Sequence, residues 1–303
     1  MLKYKSAGLR FTMNYYGEEN MKIAISVEST NDLSKELLTK YDIKVIPYQI
    51  VLGDKAFKDG EVSVLEMFDY VDKNGVLPKT NALNEFEYTE FFEELRKEYD
   101  AVIHIALSSG LSSSCGNAER AGKNVENVFV VDSKNLSTGI GLLAIYAREL
   151  AELNIEPSKI YEMVNSRVEN VKATFIVERL DYLHKGGRCS SLALFGANLL
   201  KIRPRIIVKK DGTMTSDKKY RGSMGGVVAK YCAETLAEFN TPDLDKVFIT
   251  YTTATPEMLE SAETACKNAG FKNIYHAHAG GTIASHCGAN TLGIIFFNDG
   301  NEI

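Results

Sequence analysis

Residues Ala101–Leu107 read AVIHIAL and run directly into Ser108–Ser114, SSGLSSS. The first stretch is a short continuous apolar run rich in β-branched residues, the pattern of a strand buried on both faces. The second is a turn of small, hydroxyl-bearing residues leading into a helix. The same alternation recurs on either side. Lys22–Val27 (KIAISV) is an apolar strand, and Ser29-Thr30-Asn31-Asp32 after it offers capping oxygens to a helix. Ile43–Leu52 is a second extended run, broken by Pro47. Ser63 and Glu66 form a capping box ahead of Phe68 and Val71, and Asn74-Gly75 ends that helix. Beyond Pro78, the polar segment Thr80–Asn84 leads to a helix bearing Phe86, Phe91, Phe92 and Leu95. Asn127–Val131 is a further strand, followed by a long helix with Leu142, Leu143 and Leu150. Strand and helix in this order predict an α/β protein whose first part holds a largely parallel sheet with flanking helices.

The texture changes near residue 172. Thr174–Val177 reads as a strand, followed by Arg179–Arg188 (RLDYLHKGGR) and the apolar stretch Leu192–Leu200. Ile206–Lys210 and Thr213–Tyr220 flank Asp211-Gly212, a hairpin signal. Val247–Tyr251 and Ile274–His278 bracket a helix, and Leu292–Phe297 is a last strand. Three units are expected: an extension over residues 1–20 with no assigned function, an α/β domain over 21–172, and a mixed α/β domain over 173–303.

Composition narrows the partners. The 303 residues carry a net charge of −5 with 45% hydrophobic and 25% charged residues. That is globular composition, without the broad basic surface that nucleic acid requires. Cys115, Cys189, Cys232, Cys266 and Cys287 are scattered and odd in number, which suits buried thiols in a reducing cytoplasm. No run approaches the roughly 18 apolar residues of a spanning helix, so only transient contact with a membrane is left open.

Several motifs are weaker than they look. Gly139–Ala144 (GIGLLA) fits a dinucleotide pattern, but six residues separate Gly139 from Asp132 at the strand end, so close helix packing is the better reading. A phosphate loop of the G-x-x-x-x-G-K-[ST] form is absent from the sequence. Gly110–Ser114 lacks the last glycine of a nucleophile elbow. His276 and His278 share a strand face without the further ligands that would make a metal site, and His104 reads as a core histidine. Neither a metal nor a cofactor is expected. Three features remain: the serine-rich turn at a helix start, where an anion is favoured; Thr80 before another helix; and His286 among small residues in Ala284–Gly288.

These segments together resemble the DegV family, the fatty-acid-binding B subunits of bacterial fatty acid kinase. The likeness runs from Met21 to the C terminus. It rests on Ser29–Leu33 (STNDL), Thr80-Asn81, Ser108–Ser112 (SSGLS), Val131-Asp132-Ser133, Leu183–Arg188 (LHKGGR), Lys201–Pro204 (KIRP) and Ala284-Ser285-His286. The resemblance implies a two-domain fold whose interdomain pocket takes a long-chain fatty acid. It places the carboxylate on Thr80, Ser112 and His286, with Arg188, Ser109, Ser29 and Thr30 in support. It assigns Arg221 to docking of a separate ATP-dependent kinase, and Leu192, Leu194, Phe195, Leu199 and Leu200 to the tunnel wall. The protein would then be a carrier rather than an enzyme, feeding acyl-phosphate formation and phospholipid synthesis. The sequence departs from the family pattern in three places: Glu28 replaces the usual Asp, Thr80–Leu83 lacks the family's proline, and Ser112–Cys115 replaces Ser-Gly-Thr-Tyr, the last two bordering the expected pocket.

The chemistry is coherent. Each buried methylene of an acyl chain is worth about 0.8 kcal/mol, whereas an unpaired buried carboxylate costs several kcal/mol. Hydroxyls and an imidazole meet the second demand. Two other readings stand beside this one: a serine hydrolase or acyltransferase using Ser112 with His286, and a regulatory protein whose lipid alters partner binding.

Overall fold

The computed structural model describes residues 21–189 and 202–300. The first part contains β1 (Ile23–Glu28), α1 (Lys35–Lys40), β2 (Ile43–Ile46), β3 (Gln49–Leu52), β4 (Lys55–Lys58) and α2 (Val64–Asn74). It continues through β5 (Lys79–Asn81), α3 (Glu85–Arg96), β6 (Ala101–Ala106), α4 (Ser114–Asn124), β7 (Val128–Asp132), α5 (Thr138–Glu152) and α6 (Pro157–Arg167). Then come β8 (Val171–Ile176), α7 (Leu180–Lys185), β9 (Arg203–Val208), β10 (Met214–Tyr220) and α8 (Met224–Glu238). The last elements are β11 (Lys246–Tyr251), α9 (Pro256–Asn268), β12 (Asn273–His278), α10 (Gly281–Cys287) and β13 (Leu292–Phe297).

The AVIHIAL stretch forms β6, buried at every position, at the centre of a four-stranded sheet ordered β2-β1-β6-β7. All three pairings in this sheet are parallel. Helices α3 and α4 pack against it on one side, α5 and α6 on the other. The second sheet has six strands in the order β10-β9-β8-β13-β11-β12, antiparallel except for β11 with β12. The chain enters it at β8. Helix α5 lies between the two sheets, touching β1 and β6 on one side and β8 and β13 on the other. That placement explains why its sequence is apolar almost all the way round. A Cβ on Gly141 would stand 2.6 Å from Leu33 Cδ2, so the GIGLLA glycines serve close packing.

The extended run Ile43–Leu52 does not stay in one sheet. Pro47 divides it: β2 joins the parallel sheet, while β3 leaves to form a small antiparallel sheet ordered β4-β3-β5. Thr80, expected in a polar segment just before a helix, lies on β5 opposite Ile50. This sheet and α2 build a third core from Ile50, Leu52, Met67, Phe68 and Val71 together with Tyr182 and Ala284 of the second part. The two parts of the chain are therefore joined by shared apolar packing at their seam.

Candidate functional site

Helix α10 crosses this seam, packing on α2, β3, β5 and α7. Its His286 meets Thr80 across 206 residues of sequence, with Nε2 2.9 Å from Thr80 Oγ1. Ser112 arrives from the turn after β6, where the amides of Leu111 and Ser112 both donate to Ser108 O. Thr80, Ser112 and His286 all line one cavity of about 50 Å³, with Thr30, Tyr48, Leu111, Arg188, Met214 and Thr282 among its other walls. Of the other sequence-based candidates, Thr30 and Arg188 also reach this cavity. Ser29 and Ser109 are not among its walls. The Ser29 hydroxyl donates to Asp59 at 2.9 Å and accepts from the Tyr48 amide. Ser109 accepts from Lys134 Nζ at 2.8 Å, and its amide donates to Asp132. Leu192, Leu194, Phe195, Leu199 and Leu200 lie outside the described residues.

The hydrogen bonds leave specific protons available. Ser112 Oγ accepts from the Tyr48 hydroxyl at 3.4 Å and from the Ser114 amide at 3.2 Å. Its own proton is used in neither bond and is available to the cavity. Among the described residues His286 Nδ1 is buried without a partner, so the tautomer with the proton on Nε2 avoids stranding an N–H. That N–H then donates to Thr80 Oγ1, and the threonine proton is freed in turn. Burial lowers the His286 imidazole from 6.5 to about 4, with the nearby Arg188 guanidinium adding to the effect. The ring is neutral at ordinary pH.

Further polar groups face the same cavity. Among the described residues, Thr30 Oγ1 and Thr282 Oγ1 are buried without a hydrogen-bond partner, as is His286 Nδ1. Each such atom costs about 1–3 kcal/mol, and folded proteins keep few of them. Arg188 Nη1 donates to Gly186 O at 2.6 Å and Nε to Leu111 O at 3.4 Å, tying the KGGR turn to the serine turn. A Cβ on Gly186 would stand 2.6 Å from His286 Nδ1, so the first glycine of KGGR makes room for the imidazole. Sequence reasoning missed Tyr48 and the role of Gly186; the paired glycines were the legible signal for the second.

The dyad needed for nucleophilic catalysis is not assembled. Ser112 Oγ bonds to Tyr48 and Ser114, whereas His286 Nε2 bonds to Thr80. His276 instead stands 3.4 Å from Glu263, and His278 3.0 Å from the Tyr251 hydroxyl. Among the described residues no group of three or more His, Cys, Asp or Glu is placed to hold a metal ion, and no helix is long and apolar enough to cross a membrane. Arg221 lies elsewhere, in a surface depression of about 360 Å³ with Ile202, Lys219, Tyr220, Gly226, Val227 and Lys230.

Two sheets with an intervening helix and a hydroxyl-and-imidazole pocket at their seam define an α/β protein with a candidate ligand pocket between its parts. The chain belongs to the DegV family: the model described as "Uncharacterised protein, DegV family" matches residues 22–299. It is 31% identical over 282 residues to a protein of Thermotoga maritima named fatty acid-binding protein, covering 90% of this chain and 96% of that one. The crystal structure of DegV from Bacillus subtilis, described as a fatty acid binding protein, superposes with a TM-score of 0.79 at 27% identity, over 91% of this chain and 99% of that one. The Streptococcus pneumoniae fatty acid kinase B3 protein, solved with linoleic acid, shares the fold with a TM-score of 0.79 at 18% identity, over 91% and 99% of the two chains.

Proposed function

We propose that this protein is a cytoplasmic carrier of a long-chain fatty acid, holding the carboxylate with Thr80, Ser112 and His286. The observation that carries the reading is the Thr80–His286 contact, which joins residues from the two parts of the chain at a cavity that Ser112 also lines. The freed hydroxyl protons of Ser112 and Thr80 suit a carboxylate, which accepts and does not donate. The family relatives described as fatty-acid-binding support the same ligand.

A cavity of about 50 Å³ suits a head group, whereas pockets for whole small molecules run to roughly 300–1,000 Å³. The acyl chain therefore needs further apolar volume, and Leu192, Leu194, Phe195, Leu199 and Leu200 are its proposed walls. Arg188 supports the carboxylate end electrostatically from beside His286.

Phosphoryl transfer to the carboxylate is assigned to a separate ATP-dependent kinase, which would dock on the surface around Arg221 and bring the nucleotide and metal. The carrier then contributes substrate and no chemistry of its own. Mass spectrometry of protein purified from lipid-replete cells tests the ligand: one fatty acid per chain is expected. Protein that carries none, and takes up none when offered, refutes the reading. Incubation with the cognate kinase and ATP tests the second step, with acyl phosphate expected as product; a covalent adduct of Ser112 with a fluorophosphonate would favour the hydrolase instead.

A further inference from the structure

Helix α10 is held at its start by two aspartate side chains from the first part of the chain, of which the Asp32 carboxyl is pushed by burial up to about 8. Asp32 Oδ1 accepts from the Gly280 amide at 2.7 Å, and its other oxygen accepts from the Ser137 hydroxyl. Asp59 accepts from the Gly281 amide at 2.9 Å and from the Thr282 amide at 3.2 Å. These amides belong to the helix start, whose N–H groups have no partner within the helix. The separations along the chain are 248, 222 and 223 residues, so each bond ties the two parts together. The fit is tight: a Cβ on Gly281 would stand 2.4 Å from Ile50 Cδ1 and 3.1 Å from Asp59 Oδ1.

The same cluster reaches the other side of the cavity. Asp59 accepts from the Ser29 hydroxyl, Ser29 accepts from the Tyr48 amide, and the Tyr48 hydroxyl donates to Ser112. The Asp59 amide in turn donates to Tyr48 O at 2.8 Å. One carboxylate is thus connected to His286 through α10 and to Ser112 through Tyr48.

We infer that Asp59, with Asp32 beside it, is a positioning residue that clamps α10 to the first part of the chain and so holds His286 against Thr80. The inference extends the proposed carboxylate site but does not depend on which lipid fills it. Loss of the clamp lets α10 shift from the seam, and His286 then gains water and loses its fixed contact with Thr80. Simple loss of stability would leave the environment of His286 unchanged in molecules that remain folded.

The test is an NMR titration of His286 in lipid-free protein, its signal assigned with His286→Gln. In Asp59→Ala or Asp59→Asn, the His286 midpoint is expected to climb from about 4 towards the ordinary 6.5. Affinity for palmitate is expected to fall roughly tenfold or more, with no further fall when Asp59→Asn is added to His286→Ala. An unchanged His286 titration in folded variants overturns the clamp, whatever happens to affinity. Amide exchange in the unsubstituted protein gives a second readout: Gly281 and Thr282 should be protected, and exchange at the rate of an exposed loop contradicts the inference. A protein that binds no palmitate while its His286 titration shifts as expected sinks the carrier reading and leaves the clamp standing.

Discussion

The regions around His104 and His286 use the same residue type for opposite ends. His104 is wholly buried in β6, with Nδ1 3.0 Å from Ser26 Oγ and Nε2 3.5 Å from Glu28 Oε1. The rings of Tyr88, Phe91 and Phe92 stand edge-on to it at 5.2–6.4 Å. Glu28 is occupied in turn, accepting from the Tyr88 hydroxyl and the Leu107 amide. Each ring leaves one nitrogen without a hydrogen-bond partner among the described residues, His104 Nε2 and His286 Nδ1, but only His286 faces the cavity and an opposing threonine. The first region is packed shut by aromatic rings around its histidine; the second borders a cavity and keeps hydroxyl protons available. A buried histidine is thus read by what its neighbours leave unused, not by its burial.

The largest expected effect breaks the closed region alone. Phe92→Ala should cost about 3–5 kcal/mol of stability in urea unfolding, because it empties a fully buried ring site against His104. Fatty acid binding should persist while the variant is folded; loss of binding in folded protein would erase the distinction between the regions. Substitutions in the open region should do the reverse. Thr80→Ala, Ser112→Ala and His286→Ala should each weaken fatty acid binding by roughly ten- to a hundredfold, as for a hydrogen bond to a charged group. Displacement of a fluorescent fatty acid measures this, and unchanged affinity in all three removes their assigned role.

A smaller effect follows from titration. Because His286 is held at about 4 against an ordinary 6.5, the unfolded chain binds the extra proton between those values. Its contribution to stability is fully present above pH 6.5 and is lost as the pH falls to about 4. Urea midpoints across that window should decline less steeply in His286→Gln than in the unsubstituted protein. The smallest effect on lipid belongs to Arg221→Ala. It should leave affinity within about twofold while slowing phosphorylation by the cognate kinase, since Arg221 lines a separate depression. A large loss of lipid would tie that surface to the cavity.

The parallel sheet was legible because β1 and β6 are continuous apolar runs, which few other structures accommodate. The small antiparallel sheet was not. Its β5 is only Lys79–Asn81, a polar triplet that becomes a strand by pairing with Gln49–Val51 some thirty residues away. Thr80 and Ser112 each read as helix-start residues, and only family resemblance set them beside His286. Asp59 was invisible for a related reason: Asp59-Gly60 has the composition of any turn, and its partners on α10 lie more than 220 residues further on.

A crystal structure with palmitate bound tests the central claim most directly. The account predicts the carboxylate within about 3 Å of Thr80 Oγ1 and Ser112 Oγ, with His286 Nε2 still donating to Thr80 Oγ1 behind it. A head group found in bulk solvent, or held elsewhere with Thr80 still bonded only to His286, would contradict it.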